Sequence, residues 1–183
     1  MGQEEKILGN STQNTEPALL TGMFNDRGTT ERAYNTLRER GYSDEEINMI
    51  MTDETRNKYF KDGDTEIGTK AMEDAGKGAA IGGTVGAVAG VIAALGTSLL
   101  IPGLGLVIAG PIIAGLAGAG AGGIAGGLIG ALVGAGVTEE RAKLYESGVK
   151  DGKIVMGVRP KNNEDAEYFQ NDWRNNKGEE IHY

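Results

Sequence analysis

The sequence predicts an α+β fold, a ferredoxin-like domain split by an inserted, glycine-rich helical hairpin. The charge distribution predicts the split, because the 61 residues between Lys77 and Glu139 contain no Asp, Glu, Lys, Arg or His. All 44 Asp, Glu, Lys and Arg residues lie on either side of this block. With the block left out, the patterns follow the order β-α-β, then β-α-β. In that arrangement two helices cover one face of a four-stranded antiparallel sheet.

The chain divides into five predicted segments. They are a disordered polar tail at 1–16, the first half of the α+β domain at 17–53, a charged linker at 54–77, the glycine-zipper helical hairpin at 78–137, and the second half of the domain at 138–183. The tail is rich in Gln, Asn, Ser, Thr and Glu, so it has little apolar surface to bury. The linker is either a simple connection or an amphipathic approach to the hairpin.

The first half of the domain shows a strand, a helix and a second strand. The stretch ALLTGMF at 18–24 is short and apolar, as a strand is, and 29–40 carries apolar residues at helical spacing. Ser43 and Glu46 have the spacing of a capping box. The stretch INMIMT at 47–52 alternates as a sheet strand does.

The second half repeats this pattern after one extra helix, predicted from Thr138 to about 149 with acidic residues in its first turn. The stretch KIVMGVR at 153–159 has the pattern of a strand, and EEIHY at 179–183 is predicted to form the last strand. Between them Asn163 is predicted to cap a helix. Its apolar stripe consists of Ala166, Phe169 and Trp173, with Tyr168 at an exposed position.

The apolar block carries small residues at every fourth position in two runs. They are Gly78, Gly82, Gly86, Gly90, Ala94 and Ser98, and then Gly110, Ala114, Gly118, Gly122, Gly126, Gly130 and Gly134. The stretch IPGLG at 101–105 predicts a turn between the runs, so the block is expected to form two helices in a hairpin.

Nineteen glycines in one helical hairpin need a physical reason. Each glycine in an exposed helix costs roughly 0.8 to 1 kcal/mol relative to alanine, and close contact between helix backbones can offset this cost. The residues predicted to mediate such packing and self-association are Gly82, Gly86, Gly90, Gly118, Gly122, Gly126, Gly130 and Gly134.

A bilayer is one environment that suits this hairpin. The 24 residues at 78–101 would form a helix of about 36 Å, against a hydrocarbon core of about 30 Å. Ala and Gly are only weakly apolar, so a soluble oligomer with buried hairpins suits the same pattern. A flexible low-complexity segment is the third interpretation.

The chain resembles the YflT-like, general stress protein 17M-type family from about Leu19 to Tyr183. The resemblance is carried by LLTGMFNDRGTTERAYNTLRERGYSDEEINMI, by the GxxxG-rich hairpin and, most specifically, by GVTEERAKLYESGVKDG at 136–152. It implies a bacterial, stress-linked protein and supplies no catalytic residues to transfer.

Several enzyme and cofactor classes fail on their residues. GAGAGG at 118–123 matches a dinucleotide fingerprint only by glycine content, since it lacks a preceding strand. Gly76 and Lys77 do not continue into the Ser or Thr of a P-loop. The spacing of Asp62, Asp64, Glu66 and Glu73 suggests a calcium loop, yet Ile67 occupies the position that requires glycine. A solvated acidic linker is therefore the prediction there.

Composition excludes further classes. The chain has no cysteine, which excludes disulfides and thiolate chemistry, and its one histidine, His182, forms no metal site or triad by itself. The net charge of −8 argues against nucleic-acid binding. No metal, cofactor or small-molecule substrate is indicated.

The sequence thus predicts a non-enzymatic stress protein that associates with itself through the glycine zipper and with a lipid membrane. No apolar run near the N-terminus resembles a signal peptide, and two spans would leave both polar parts on one side. The expected location is the cytoplasmic membrane with the polar domain in the cytoplasm. The alternative is a cytoplasmic soluble assembly, such as a shell or filament, with the hairpins as a shared apolar interior.

Overall fold

The computed structural model describes residues 17–60, 99–101, 105–112 and 127–183. Within these ranges the chain is an α+β structure, as predicted. The strands are β1 (Leu20–Phe24), β2 (Ile47–Thr52), β3 (Leu99–Ile101), β4 (Leu106–Ala109), β5 (Ile154–Val158) and β6 (Glu179–His182). The helices are α1 (Arg27–Glu39), α2 (Asp53–Phe60), α3 (Gly127–Gly134), α4 (Glu139–Lys150) and α5 (Asn163–Asn175), with a 3-10 turn at Asp44–Glu46.

The six described strands form one sheet in the order β3-β4-β2-β5-β1-β6, and every neighbouring pair is antiparallel. β5 lies between β1 and β2, with Val158 opposite both Leu20 and Ile47. All five residues of β5 are buried. The strand from the second half of the chain is therefore inserted between two strands from the first half, which ties the halves into one sheet.

One face of the sheet is covered by α1 and α5. Asp26 caps α1 by accepting a hydrogen bond from the Thr29 amide, 2.8 Å away. Asn162, one residue before the predicted Asn163, caps α5 in the same way through the Asp165 amide. The predicted stripe of α5 is confirmed as core, since Trp173 is fully buried and meets the Phe24 ring edge to face at 5.5 Å.

The opposite face is covered by α3 and α4. Leu128 and Leu132 of α3 join Tyr145 of α4 in a second core, together with Ile50 and Val155 from the sheet. The sheet is therefore buried on both faces, whereas the predicted arrangement covered one. The extra helix predicted from Thr138 provides part of this second layer.

The apolar block departs from the predicted helical hairpin at three places. Leu99–Ile101 and Leu106–Ala109 are strands, where the end of one helix and the beginning of the next were expected. Gly110 has φ +95°, and a side chain there would collide with the Ile47 backbone. β4 can thus lie against β2 only because position 110 is glycine.

The third departure is at Gly127, the first residue of α3, where φ is +58°. A left-handed residue cannot lie inside a right-handed helix. The predicted stripe from Gly110 to Gly134 therefore does not run along one continuous helix. Its last turns belong to α3, whose Leu128 and Leu132 are buried in the domain core.

The boundary of the predicted linker also shifts. Its first residues form α2, which buries Phe60 against the same core as α1 and α5. The Arg27 guanidinium lies 5.6 Å from the centre of the Phe60 ring and donates to the Tyr59 carbonyl at 2.8 Å. The predicted tail at 1–16, the linker from 61 to 77 and most of the hairpin lie outside the described residues.

The packing of α3 makes a prediction for two adjacent residues. Leu132→Ala is expected to lower the free energy of unfolding by about 2 to 5 kcal/mol, because it leaves a cavity at a fully buried position. Val133→Ala is the control, since Val133 is 43% exposed, and a change within about 0.5 kcal/mol is expected. Chemical denaturation of the full chain measures both. If both variants lowered the free energy of unfolding by the same small amount, α3 would not be part of the domain core.

Candidate functional site

The predicted self-association residues fall into two groups. Six of them lie outside the described residues, namely Gly82, Gly86, Gly90, Gly118, Gly122 and Gly126. Gly130 and Gly134 lie on α3, where Gly130 is half-buried and Gly134 is exposed. A Cβ atom placed on Gly134 would have no neighbouring atom within 4 Å among the described residues. The described chain therefore leaves open space at the end of the stripe.

α3 is apolar around its whole circumference. Its sequence GLIGALVG has no polar side chain, and Leu128, Ala131 and Leu132 face the core. On the other side Val133 is 43% exposed, next to Gly134. A helix that is apolar all round is normally covered on all sides. The outer side of α3 is thus an apolar surface on the domain, and Leu144 of the adjacent α4 is also exposed, at 47%.

A polar cleft of about 500 Å³ opens at one end of the sheet. It lies where β1 and β2 end and where α4 turns into β5. Its lining consists of Asn25, Thr52, Glu54, Thr55, Lys58, Tyr59, Lys150, Asp151 and Gly152. The Thr52 hydroxyl donates to the Thr55 hydroxyl at 2.9 Å, and the Thr55 hydroxyl donates to the Gly152 carbonyl at 3.3 Å.

The cleft carries both signs of charge in equal number, with two lysines and two carboxylates. Its threonine hydroxyls are held by each other and by backbone, and no histidine lies in the lining. An activated nucleophile requires an adjacent base. The Thr52 and Thr55 hydroxyls donate to a hydroxyl and to a carbonyl and not to a base, and the mixed charge of the lining selects no single class of ligand.

A second polar cluster lies at the other end of the sheet and connects two helices there. The Tyr42 hydroxyl donates to Asp165 Oδ2 at 2.7 Å and accepts from the Lys161 amide at 2.7 Å. Arg40 forms an ion pair with the same carboxylate and lies 3.9 Å from the centre of the Tyr168 ring. These contacts join the α1–β2 connection to the start of α5. Their side chains satisfy one another, which indicates a structural role.

The electrostatics of this cluster follow from burial and hydrogen bonding. Burial raises the pKa of Tyr42 to about 12. The hydrogen bond from the Tyr42 hydroxyl, together with the Arg40 guanidinium, lowers the pKa of Asp165 below its ordinary value of 3.8. The carboxylate is therefore ionised throughout the physiological range, and neither group is suited to proton transfer near pH 7.

The residues considered for metal binding do not converge. Among the described side chains, no three His, Cys, Asp or Glu groups come together as metal ligands would. His182 lies in the edge strand β6, opposite Thr21, and burial lowers its pKa. The glycine motif at 118–123, Gly76, Lys77 and the acidic spacing at 62–73 lie outside the described residues.

Within the ranges that the structure describes, none of the helices combines the length and the apolar character needed to cross a bilayer. Comparisons with protein-family models, curated proteins and solved structures found no match to this chain.

Sequence reasoning missed the residues that hold the block against the domain. Asn48 is 2% exposed in β2; its Oδ1 accepts from the Ile112 amide at 2.7 Å, and its Nδ2 donates to the Gly157 carbonyl at 3.2 Å. The amide side chain of Asn48 inside the INMIMT strand pattern was the available signal, because a buried amide requires hydrogen-bond partners. Its partners lie 64 and 109 positions away, which no local pattern reveals.

The Tyr42 cluster makes a prediction for stability and its pH dependence. Tyr42→Phe is expected to cost about 1 to 3 kcal/mol of unfolding free energy, because it removes the hydrogen bond to Asp165 Oδ2 and the acceptor of the Lys161 amide. Tyr168→Phe is the control, since it keeps the ring on Arg40 and removes an exposed hydroxyl.

The pKa of Asp165 is depressed in the folded state, so its stabilisation is present above pH 3.8 and is lost as the pH falls through the folded-state value. The difference between wild type and Tyr42→Phe should therefore shrink below about pH 4. Denaturant titrations at pH 7 and pH 3 measure this difference. A difference that stayed constant with pH would exclude the proposed coupling to the Asp165 carboxylate.

Proposed function

We propose that this protein is a non-enzymatic, self-associating protein whose glycine-rich block forms the contact between copies. The observation that carries the proposal is α3, the described end of the block. It is apolar all round, packs one side on the sheet and exposes Val133 and Gly134 on the other. A helix that is apolar all round is normally covered on all sides, so its exposed side is a candidate interaction surface.

The rest of the described surface supports this choice of segment. Only four large apolar side chains are exposed there, and besides Val133 they are Leu144, Tyr168 and Tyr183. Two copies of a chain with net charge −8 repel each other wherever carboxylates meet. The 61-residue block without charges is the part of the chain in which identical copies can meet without this repulsion.

We infer that the domain that carries the block is ferredoxin-like. The order β2-β5-β1-β6 within the sheet, with α1 and α5 on one face, supports this assignment. β3 and β4 extend the sheet beyond β2, and α3 with α4 covers the second face. In this view the block is an insertion whose ends are part of the domain.

The membrane form of the proposal places the block in the cytoplasmic membrane and the polar domain in the cytoplasm. The 21 charge-free residues at 78–98 support it, because they would give a helix of about 31 Å, close to the thickness of the hydrocarbon core. The second run is shorter: from 113 to the start of α3 it has 14 residues, or about 21 Å of helix.

The shorter second run favours the second candidate, a cytoplasmic soluble assembly with the blocks as its shared apolar interior. Because α3 is packed on the sheet, it does not lengthen a membrane span. A role in bacterial stress response is proposed on the resemblance to the YflT-like, general stress protein 17M-type family alone. It carries over no site residue, and no cofactor is part of the proposal.

Gly134 allows a test of self-association that leaves the fold intact. Gly134→Leu is expected to reduce the cross-linked oligomers strongly, because the added side chain separates surfaces that approach closely in the assembly. The circular dichroism spectrum should stay unchanged, since a Cβ at this position meets no described atom within 4 Å.

Glu167→Leu is the matched control, because it places the same side chain at an exposed position of α5 on the opposite layer. It also removes a negative charge, so it should not weaken association. If cross-linked Gly134→Leu gave the same oligomer ladder as wild type, the α3 stripe would not mediate the contact between copies.

The membrane form and the soluble form differ in how the wild-type protein behaves without detergent. If the block inserts into lipid, the purified chain should bind neutral liposomes, and salt should barely affect binding because the contact is apolar. Carbonate washing should leave it with the membrane fraction of cells. Elution as one defined, water-soluble particle that ignores liposomes would instead establish the soluble assembly.

A further inference from the structure

The two edges of the described sheet differ in how they are protected. β6 forms one edge, and it pairs with β1 only through Thr21 with His182 and Met23 with Glu179, with a register shift between them. Glu180, in the middle of β6, has φ +50°, and both Glu179 and Glu180 are exposed. Irregular geometry and charges are the features by which proteins prevent edge strands from pairing with other chains.

β3 forms the opposite edge and has none of these charges. It pairs with β4 in regular register, from Leu99 with Ile108 to Ile101 with Leu106. No other described strand lies on its outer side. Its sequence is Leu-Leu-Ile, and the nearest charged residues along the chain are Lys77 and Glu139. Among the described residues, no strand pairs with the backbone groups on the outer side of β3.

The charge distribution of the chain limits which strand could pair with the outer side of β3. Each described helix outside the block carries carboxylates, and so does β6. A second copy of this acidic chain would meet repulsion at those surfaces. At β3 two identical strands can lie side by side without opposing carboxylates. A twofold axis pairs identical strands antiparallel and brings the same patch of each copy together.

We propose that β3 is a pairing edge for β3 of a second copy, so that two six-stranded sheets join into one continuous antiparallel sheet. The inference rests on the proposed self-association and names the surface at which it begins. Because the β6 edge is protected, this pairing closes at two copies and does not extend into a fibre. Backbone hydrogen bonds supply the affinity, as they do in other cases of strand addition.

Hydrogen exchange of the full-length wild-type chain tests the contact directly. At a protein concentration where the mass is twice 19.1 kDa, those amides of Leu99–Ile101 that point away from β4 should exchange at least tenfold more slowly than in the dilute monomer. Amides of β6 serve as the internal control and should not change. Equal exchange at both concentrations would overturn the proposal, because it would mean that β3 is covered by its own chain or by nothing.

A variant separates this inference from the broader proposal. Leu100→Lys places a charge in the edge strand and should convert the dimer to the 19.1 kDa monomer in sedimentation experiments. Leu100→Val, the control, should remain dimeric. If wild type and Leu100→Lys associate equally, the edge pairing is wrong while self-association stands. If wild type is monomeric at every concentration with or without liposomes, both are wrong.

Discussion

The structure depends on a sheet whose two faces are both apolar and must both be covered. β5 shows this most directly, since all five of its residues are buried, with Ile154 and Met156 on one side and Val155 on the other. Helices α1 and α5 cover one face only. The other face requires a second layer, and the chain takes part of that layer from the end of its own glycine-rich block. The described end of the block is therefore packed into the core of the domain.

This arrangement resolves the conflict between glycine content and helical structure for the described part of the block. Helix α3 keeps its turns because Leu128 and Leu132 are buried on the sheet, which offsets the unfavourable propensity of its glycines. Where the backbone must turn, the glycines are used for their conformational freedom, as at Gly110 and Gly127. Glycine thus allows the close approach of β4 to β2 at Gly110 and the left-handed backbone at the start of α3 at Gly127.

The predictable part of the fold is the part with local contrast between polar and apolar residues. β2, α1, α4 and α5 follow their periodic patterns closely, and the capping box of Ser43 and Glu46 is present. The block has no such contrast, so periodicity could not separate β4 from a helix or predict the break at Gly127. Contacts between distant positions were equally hidden, as with Tyr42 and Asp165, which are 123 positions apart.

A long segment between two strands is compatible with a stable domain because the free energy of loop closure depends only weakly on length. Closing a flexible loop of 38 residues, the number between α2 and β3, costs about 1 kcal/mol more than closing one of ten residues. Asn48, Gly110 and the β2–β4 pairing then hold the chain at a second point before it continues to α3. The described parts of the block are thus held to the domain at β4 and again at α3. In the proposed self-association, neither anchor would have to be ordered when two copies meet, and the entropic cost of binding would be lower for that reason.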